Sequence, residues 1–234
     1  MGQTVCLIPA RRGSKRLPRK ATAPFHGREL AAWTFDFVLS CPQFGKIVLS
    51  TDDPAVEAMA PATMTRLARP AQFADDQATL YQVIKHVIED LPLASDDIVA
   101  LTPVTAPLRK REDLDHALQA FHDHDGSRTV LTVCANPHPP HLLWTRDEDG
   151  SLKQIVDRAA YGTRKQAFAQ TYFWNDAFLI DSAANFLAPG RDLYGPDPVG
   201  VVMPRERSVP IDHPFDLWLA SHLFDPSNAR KEPA

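Results

Sequence analysis

Short apolar runs recur along this chain, and each is followed by a stretch with helical spacing. The runs are TVCLIP (Thr4–Pro9), KIVLS (Lys46–Ser50), Ile98–Leu101 and RTVLTVC (Arg128–Cys134). They read as continuous apolar segments, the pattern of strands whose two faces are both covered. Between them lie the helical stretches Leu30–Leu39, Pro54–Ala60, Thr79–Leu91 and Arg111–Phe121. In the third of these, Leu80, Val83, Ile84, Val87, Ile88 and Leu91 fall on one helical face. Pro54 suits the first position of a helix, with Asp52-Asp53 placed to cap it, and Cys41-Pro42 ends the helix before it. Strands alternating with helices predict an α/β fold with a mostly parallel sheet. Such sheets bind ligands at the carboxyl ends of their strands. The loops after Pro9, Ser50, Leu101 and Cys134 should therefore share one edge.

The rhythm breaks over Asn136–Gln170. This segment is rich in Pro and His, then charged, and DEDG reads as a hairpin turn. A connection this long within a domain usually has structure or function of its own, so it is expected to form an arm. Strand patterns resume at Ala177–Ile180 and Val199–Met203, and Asp212–Phe224 reads as a closing helix. The expected organisation is one domain over 1–225, with 136–170 as its excursion and 226–234 as a flexible tail.

Charge adds a sharper constraint. The 234 residues carry 25 Lys and Arg against 29 Asp and Glu, a formal net charge of −4, with a pI near 6.1. Nucleic-acid binders usually carry a basic domain, so nucleic acid is not an expected partner. Yet Ile8–Lys20 (IPARRGSKRLPRK) contains Arg11, Arg12, Lys15, Arg16, Arg19 and Lys20 within thirteen residues. Gly13 and Ser14 lie among them. Glycine lets backbone N–H groups approach an anion, a Ser hydroxyl adds a donor, and Arg and Lys supply charge. The loop fits neither GxxxxGK[ST] nor GxGxxG. Composition leaves two readings open, a phosphate grip or a solvated basic loop. No run approaches a membrane span and Val5–Ile8 is too short for a signal peptide, so a cytoplasmic protein without a membrane partner is expected. Cys6, Cys41 and Cys134 form no CxxC pair and read as buried apolar residues.

Ile8–Lys20 resembles the opening motif of the CMP-acylneuraminate synthetases, cytidylyltransferases that activate nonulosonic acids, including the pseudaminic and legionaminic acid branches. Their usual form is IPARgGSKgiPrKN; here Arg12 stands where the first of two glycines is usual, and Ala21 where Asn is. The resemblance continues in order. STDD (Ser50–Asp53) is similar to the family's STDD. RPAQFADDQAT (Arg69–Thr79) resembles RPxxLaxDxAs. TAPLR (Thr105–Arg109) resembles TSPLR, and QAFAQTYFWNDA (Gln166–Ala177) resembles QdLPxxYxxNGA. Asp212 and Asp216 match the terminal IDxxxD motif, with Pro210 where a further acid is frequent.

The resemblance implies a three-layer nucleotidyltransferase fold with a protruding dimerisation and substrate arm. It also implies transfer of CMP from CTP to a nonulosonic acid with release of pyrophosphate. On that pattern Arg11, Ser14, Lys15 and Lys20 hold the triphosphate, and Arg69 and Thr79 approach the cytidine. Thr105, Arg164, Gln166, Tyr172 and Asn175 meet the sugar acid. Asp212, assisted by Asp216, holds Mg²⁺ or Mn²⁺, and Arg11, Lys20 and Asp212 carry the catalysis. A homodimer is the implied assembly. Two rival readings share the motifs: a cytidylyltransferase for another acid (an eight-carbon ulosonic acid or a phosphonate), and a non-catalytic CTP-binding homologue. The plainer roles are a helix cap for Asp52-Asp53, a loop position for His138 and His141, and core or interface anchors for Trp144, Trp174 and Trp218.

Overall fold

A computed structural model describes residues 2–156 and 168–225. Arg164 and Gln166, together with the tail 226–234, lie outside the described residues. Strand β1 (Thr4–Ala10) is the centre of the molecule. It pairs in parallel with β4 (Lys46–Thr51) on one side and β6 (Ile98–Leu101) on the other, so Leu7 faces both Val48 and Leu101 in register. Beyond β4 lies β5 (Thr65–Ala68), also parallel. Beyond β6 come β10 (Tyr172–Ser182), β7 (Val130–Ala135) and β11 (Val199–Val202). The order across this seven-stranded sheet is β11-β7-β10-β6-β1-β4-β5. Only β10 runs antiparallel to its neighbours.

The unbroken apolar sequence of β1 now has its cause. Successive side chains on a strand point to opposite faces, and both faces are covered. Cys6, Ile8 and Ala10 pack with Ala31, Phe35 and Val38 of α1 (Leu30–Leu39) and Val56 of α2 (Pro54–Met59). Val5 and Leu7 pack with Ile84, Val87 and Ile88 of α4 (Leu80–Asp90), which follows the one-turn helix α3 (Ala71–Ala74). Phe186 of α6 (Ala183–Leu187) joins the same layer. Helix α5 (Arg111–Asp123) covers β7 and β10 with Leu114, Ala117 and Phe121. These are the three layers of the expected fold.

Three details depart from the sequence reading. Strand β5 was not foreseen; it is a four-residue edge strand that is half-buried and has no long apolar run. Strand β10 is longer than the Ala177–Ile180 core and reversed in direction. Its chain comes back from the arm at the carboxyl edge and must run down the sheet, with a register shift between Trp174 and Leu179. The closing helix α7 is limited to Pro214–Leu223, because Asp212 and His213 form its capped approach.

The DEDG turn does join two strands, β8 (Trp144–Arg146) and β9 (Leu152–Gln154), in a separate hairpin. A smaller hairpin joins β2 (Pro24–Phe25) to β3 (Arg28–Glu29). All three cysteines are buried and free; burial pushes the Cys6 thiol up to about 12 and the Cys41 thiol to about 11. Of the tryptophans expected as core or interface anchors, Trp174 is half-buried against the α4 layer. Trp144 and Trp218 are exposed, and the buried one is Trp33, whose Nε1–H donates to the Phe25 carbonyl at 2.8 Å. Among the described residues, no helix is long and apolar enough to cross a membrane.

Leu7 is completely buried on the α4 face. Leu7→Ala should lower the unfolding free energy by about 2–5 kcal/mol, read as a shifted urea midpoint with an unchanged slope.

Candidate active site

The parallel strands end together, and the loop after β1 crosses their edge. Two contacts fix its path. The Arg12 backbone N–H donates to Asp52 Oδ1 at 2.8 Å, tying the loop to the end of β4. Arg19 adopts a left-handed conformation (φ 55°) and turns the chain into a 3-10 segment at Lys20–Thr22. The side chain of Arg12 is exposed, and its backbone is not left-handed. A non-glycine residue is therefore accommodated there, and the peptide group makes the important contact.

The cations of this loop meet two carboxylates. Lys20 Nζ lies 2.6 Å from Asp212 Oδ1, and Arg16 Nη2 lies 3.1 Å from Asp212 Oδ2. Arg11 Nη1 lies 3.2 Å from Asp76 Oδ1 and also donates to the Asp75 carbonyl at 3.1 Å. Lys15 Nζ reaches Asp76 Oδ2 at 2.7 Å. The Lys15 hydrogen bond, with Arg11 nearby, holds the Asp76 carboxyl below the usual range. Arg11, Ser14, Lys15, Arg16, Lys20, Thr105 and Asp212 line one open cleft of about 360 Å³. The loop is thus organised by opposing charge and is not merely solvated.

Asp212 reaches this cleft because its neighbour is anchored. Ile211 is fully buried with Phe25, Leu30, Trp33, Leu108 and Ala220, and Leu17 of the basic loop packs on the same cluster. The Ile211 N–H donates to the Thr105 carbonyl at 2.8 Å. Asp216, in contrast, has an Oδ2 that accepts from the backbone N–H groups of Asp212 (3.0 Å) and His213 (2.7 Å). It closes the start of α7, a position that the helix dipole also favours for an acid. One oxygen of Asp216, expected to assist Asp212 at the metal, is thus committed to the backbone.

A second cleft of about 240 Å³ adjoins the first, with Arg11 and Thr105 common to both. Arg69, Phe73, Ala78, Leu80, Pro103, Trp174 and Asp176 line it. Arg69 is buried, and its guanidinium donates to the Ser50 carbonyl (2.8 Å) and hydroxyl (3.3 Å). Burial lowers its pKa to about 10, against the opposing influence of Asp52. Thr79, expected to approach the cytidine, sits between Ala78 and Leu80 of this cleft. Its hydroxyl is engaged in the capping box of α4, accepting from Gln82 N (3.2 Å) and bonded to Gln82 Oε1 (3.1 Å). Asp53 likewise caps α2 by accepting from Ala55 N at 3.0 Å.

The expected sugar contacts divide. Thr105 faces both clefts. Tyr172 is exposed at the start of β10, opposite Ala135, and does not line either cleft. Asn175 is corrected: it is fully buried, and its amide is saturated. Its Oδ1 accepts from Thr132 Oγ1 (2.8 Å) and Ala177 N (3.2 Å), while Nδ2 donates to Ser208 Oγ (2.8 Å). It locks the irregular stretch of β10 to β7 and to the chain ahead of Asp212. Two acids in the site escaped the sequence reading. Asp76 is the counter-ion of Arg11 and Lys15, and Asp176 projects at the junction of the clefts. The motif position of Asp76 in RPAQFADDQAT was a usable signal, and Asp176 stands where the NGA motif has Gly, a departure to which no role was attached.

This geometry can hold a polyanion against four cations and bring a second molecule to its edge. Among the described residues, no three His, Cys, Asp or Glu side chains cluster as metal ligands. Mg²⁺ asks for less, since it binds through one or two carboxylates plus phosphate oxygens and water. Asp212 fits that demand, being a partly exposed carboxylate facing the phosphate-sized cleft.

The comparisons agree with this architecture. The family described as "Cytidylyltransferase" matches residues 5–172. An N-acylneuraminate cytidylyltransferase of Streptococcus agalactiae is 28% identical, covering 94% of this chain and 53% of that protein. A pseudaminic acid cytidylyltransferase of Campylobacter jejuni is 27% identical, covering 95% and 96%. A CMP-N,N'-diacetyllegionaminic acid synthase of Legionella pneumophila is 31% identical, covering 94% and 96%. The chain spans about half the length of the Streptococcus relative and nearly all of the other two. Among solved structures, CMP:2-keto-3-deoxy-manno-octonic acid synthetase complexed with CTP has a TM-score of 0.67 at 16% identity, covering 94% of this chain and 98% of that one. A 4-diphosphocytidyl-2C-methyl-D-erythritol synthase has a TM-score of 0.70 at 13% identity, covering 96% and 100%. These two likenesses show a shared fold.

Asn175→Ala should destabilise the protein by about 1–3 kcal/mol, because it leaves the buried Ala177 N–H without a partner. Thermal unfolding measures this; an unchanged midpoint would point away from the structural role.

Proposed function

The chain belongs to the cytidylyltransferase family, and from that premise we propose that it transfers CMP from CTP to a nonulosonic acid of the sialic, pseudaminic or legionaminic type. Pyrophosphate is the second product, and cell-surface glycan synthesis is the use. One observation carries the reading: Arg11, Lys15, Arg16 and Lys20 converge with Asp212 in one cleft, next to a second cleft containing Arg69. The named relatives support nonulosonic acids over an eight-carbon acid, whose synthetase is similar in fold at low identity.

The assigned roles follow from position. Arg11, Ser14, Lys15 and Lys20 hold the triphosphate and neutralise the charge that gathers on the departing pyrophosphate, a form of electrostatic stabilisation. The nucleoside lies in the cleft beside Arg69, whose guanidinium shapes the wall through Ser50. Thr105 stands between nucleotide and acceptor. Arg164, Gln166 and Tyr172 are assigned to the sugar acid by motif. Asp212 holds the Mg²⁺ or Mn²⁺. Such an ion, when bound, polarises the α-phosphate. Lys20 and Arg16 balance the Asp212 carboxylate without it.

The working assembly is a homodimer in the cytoplasm. The hairpin β8–β9 supports the dimer, because Leu142, Leu143, Trp144, Leu152 and Ile155 are all exposed on or beside it. Contiguous exposed apolar side chains commonly mark an interaction surface.

Incubation with CTP, Mg²⁺ and a panel of nonulosonic acids should release pyrophosphate and yield one CMP conjugate; silence across sialic, legionaminic, pseudaminic and ketodeoxynonulosonic acids would refute the reading. Lys20→Ala should reduce kcat about a hundredfold, as measured by pyrophosphate release. Sedimentation should give twice the chain mass, and Trp144→Glu should shift it towards one.

A further inference from the structure

Asp176 is out of place as a structural residue. It adopts a left-handed backbone (φ 59°) within the irregular stretch of β10, between Trp174 and Leu179. A side chain there is strained relative to glycine, although Asp tolerates the conformation better than most residues. The residue is half-buried. Among the described residues its one hydrogen-bond partner is Thr105 Oγ1, at a long 3.4 Å. Among the described residues no cation pairs with it directly; Lys20 and Arg109 act on it only through their fields, and Asp212 repels it. Strain combined with a half-buried and weakly partnered charge tends to persist where function requires it.

Its location narrows that function. Asp176 lines the nucleoside-side cleft together with Pro9, Arg11 and Thr105, the three residues that also line the phosphate-side cleft. A nucleotide spanning both clefts would bring its α-phosphate past this junction. The attacking oxygen must approach the same place. We propose that Asp176 is a catalytic residue that accepts the hydrogen bond of the acceptor's attacking hydroxyl and takes its proton during transfer. In that step the hydroxyl oxygen bonds to the α-phosphorus as its proton passes to the Asp176 carboxylate. The bond from the α-phosphorus to the bridging oxygen breaks, and pyrophosphate leaves with the electron pair. The inference rests on the CMP-transfer reading above.

Three electrostatic neighbours set the protonation of Asp176. Burial and Asp212 hold its carboxyl above the usual range, while Lys20 and Arg109 oppose them. Tyr194 feels the same charge from the other side, since Asp176 helps to raise it. A raised carboxyl must lose its proton before it can accept another. The acid limb of kcat should therefore lie above the ordinary carboxylate value of about 4, with activity rising as pH increases through it.

The test begins with the unaltered protein. Acceptor-dependent pyrophosphate release must be present; its absence with every acid removes the reaction itself, and with it this role. Given release, Asp176→Asn should lower kcat about a hundredfold and abolish the acid limb. Calorimetric CTP affinity and Mn²⁺ affinity of the CTP-bound protein should stay within about twofold. Asp176→Glu should recover part of the rate. Asp176→Gly, which relieves both the backbone strain and the charge, should raise Tm by about 2–4 °C while kcat falls. Four results would overturn the proposal: a near-normal kcat in Asp176→Asn, a tenfold loss of CTP affinity, a tenfold loss of Mn²⁺ affinity, or a lower Tm in Asp176→Gly. The second assigns Asp176 to the nucleotide, the third to the cation and the fourth to the fold.

Discussion

Everything in the site depends on β1 being held on both edges. Its parallel pairing to β4 and β6 fixes where the strand ends, at Ala10, within one residue of the first loop cation. Because β4 and β6 run the same way, Asp52 and Thr105 leave the sheet on the same side as Arg11. The first ties the loop through Arg12 N–H, and the second forms the floor of the cleft. A central strand with both faces buried cannot shift by one residue without turning its apolar side chains out of their layers. The register of the core is therefore also the register of the phosphate site.

The charges of the loop are prepared for exchange. Asp76 bridges Arg11 and Lys15 near the surface, where solvent weakens ion pairs. Under the proposed function, an incoming triphosphate would replace that one carboxylate with several oxygens at little cost. The Lys20–Asp212 pair is different. The Lys20 side chain is only 13% exposed, and Asp212 is positioned by the apolar anchoring of Ile211. The outer pairs can open while the inner pair keeps the geometry of the cleft. This division separates recruitment of the polyanion from alignment of its reacting end.

Much of this was legible in the sequence, for physical reasons. Periodicity marks buried faces, so the helices Leu30–Leu39 and Thr79–Leu91 and the four main strands could be located from apolar spacing alone. Ordered motifs pointed to Arg11, Lys15, Lys20, Arg69 and Asp212, and all five line the two clefts. Motifs do not show which polar groups turn to the backbone. Thr79 and Asp216 serve helix starts, and Asn175 serves the core, because each has a backbone donor within reach that water or ligand would otherwise have to satisfy. Asp176 shows in the sequence only as an Asp where the motif has Gly. Its meaning arises from a register shift in a reversed strand, which depends on pairing with β7 residues some 40 positions earlier.

The cleft joins the two ends of the described chain, and this has an energetic consequence. Lys20 and Asp212 are 192 residues apart, as are the loop and C-terminal segments that share the Ile211 cluster. Contacts this distant in sequence carry the full entropy of closing the intervening chain. Charge alone would not secure them, because a partly exposed ion pair contributes little net stability. The burial of Ile211, Trp33, Leu30 and Ala220 contributes more reliably, at roughly 25 cal/mol per Å² of apolar surface. The apolar staple therefore places Asp212, and the ion pair only orients it. That order of causes explains how the site can tolerate two mutually repelling acids, Asp176 and Asp212: neither depends on the other's charge for its position.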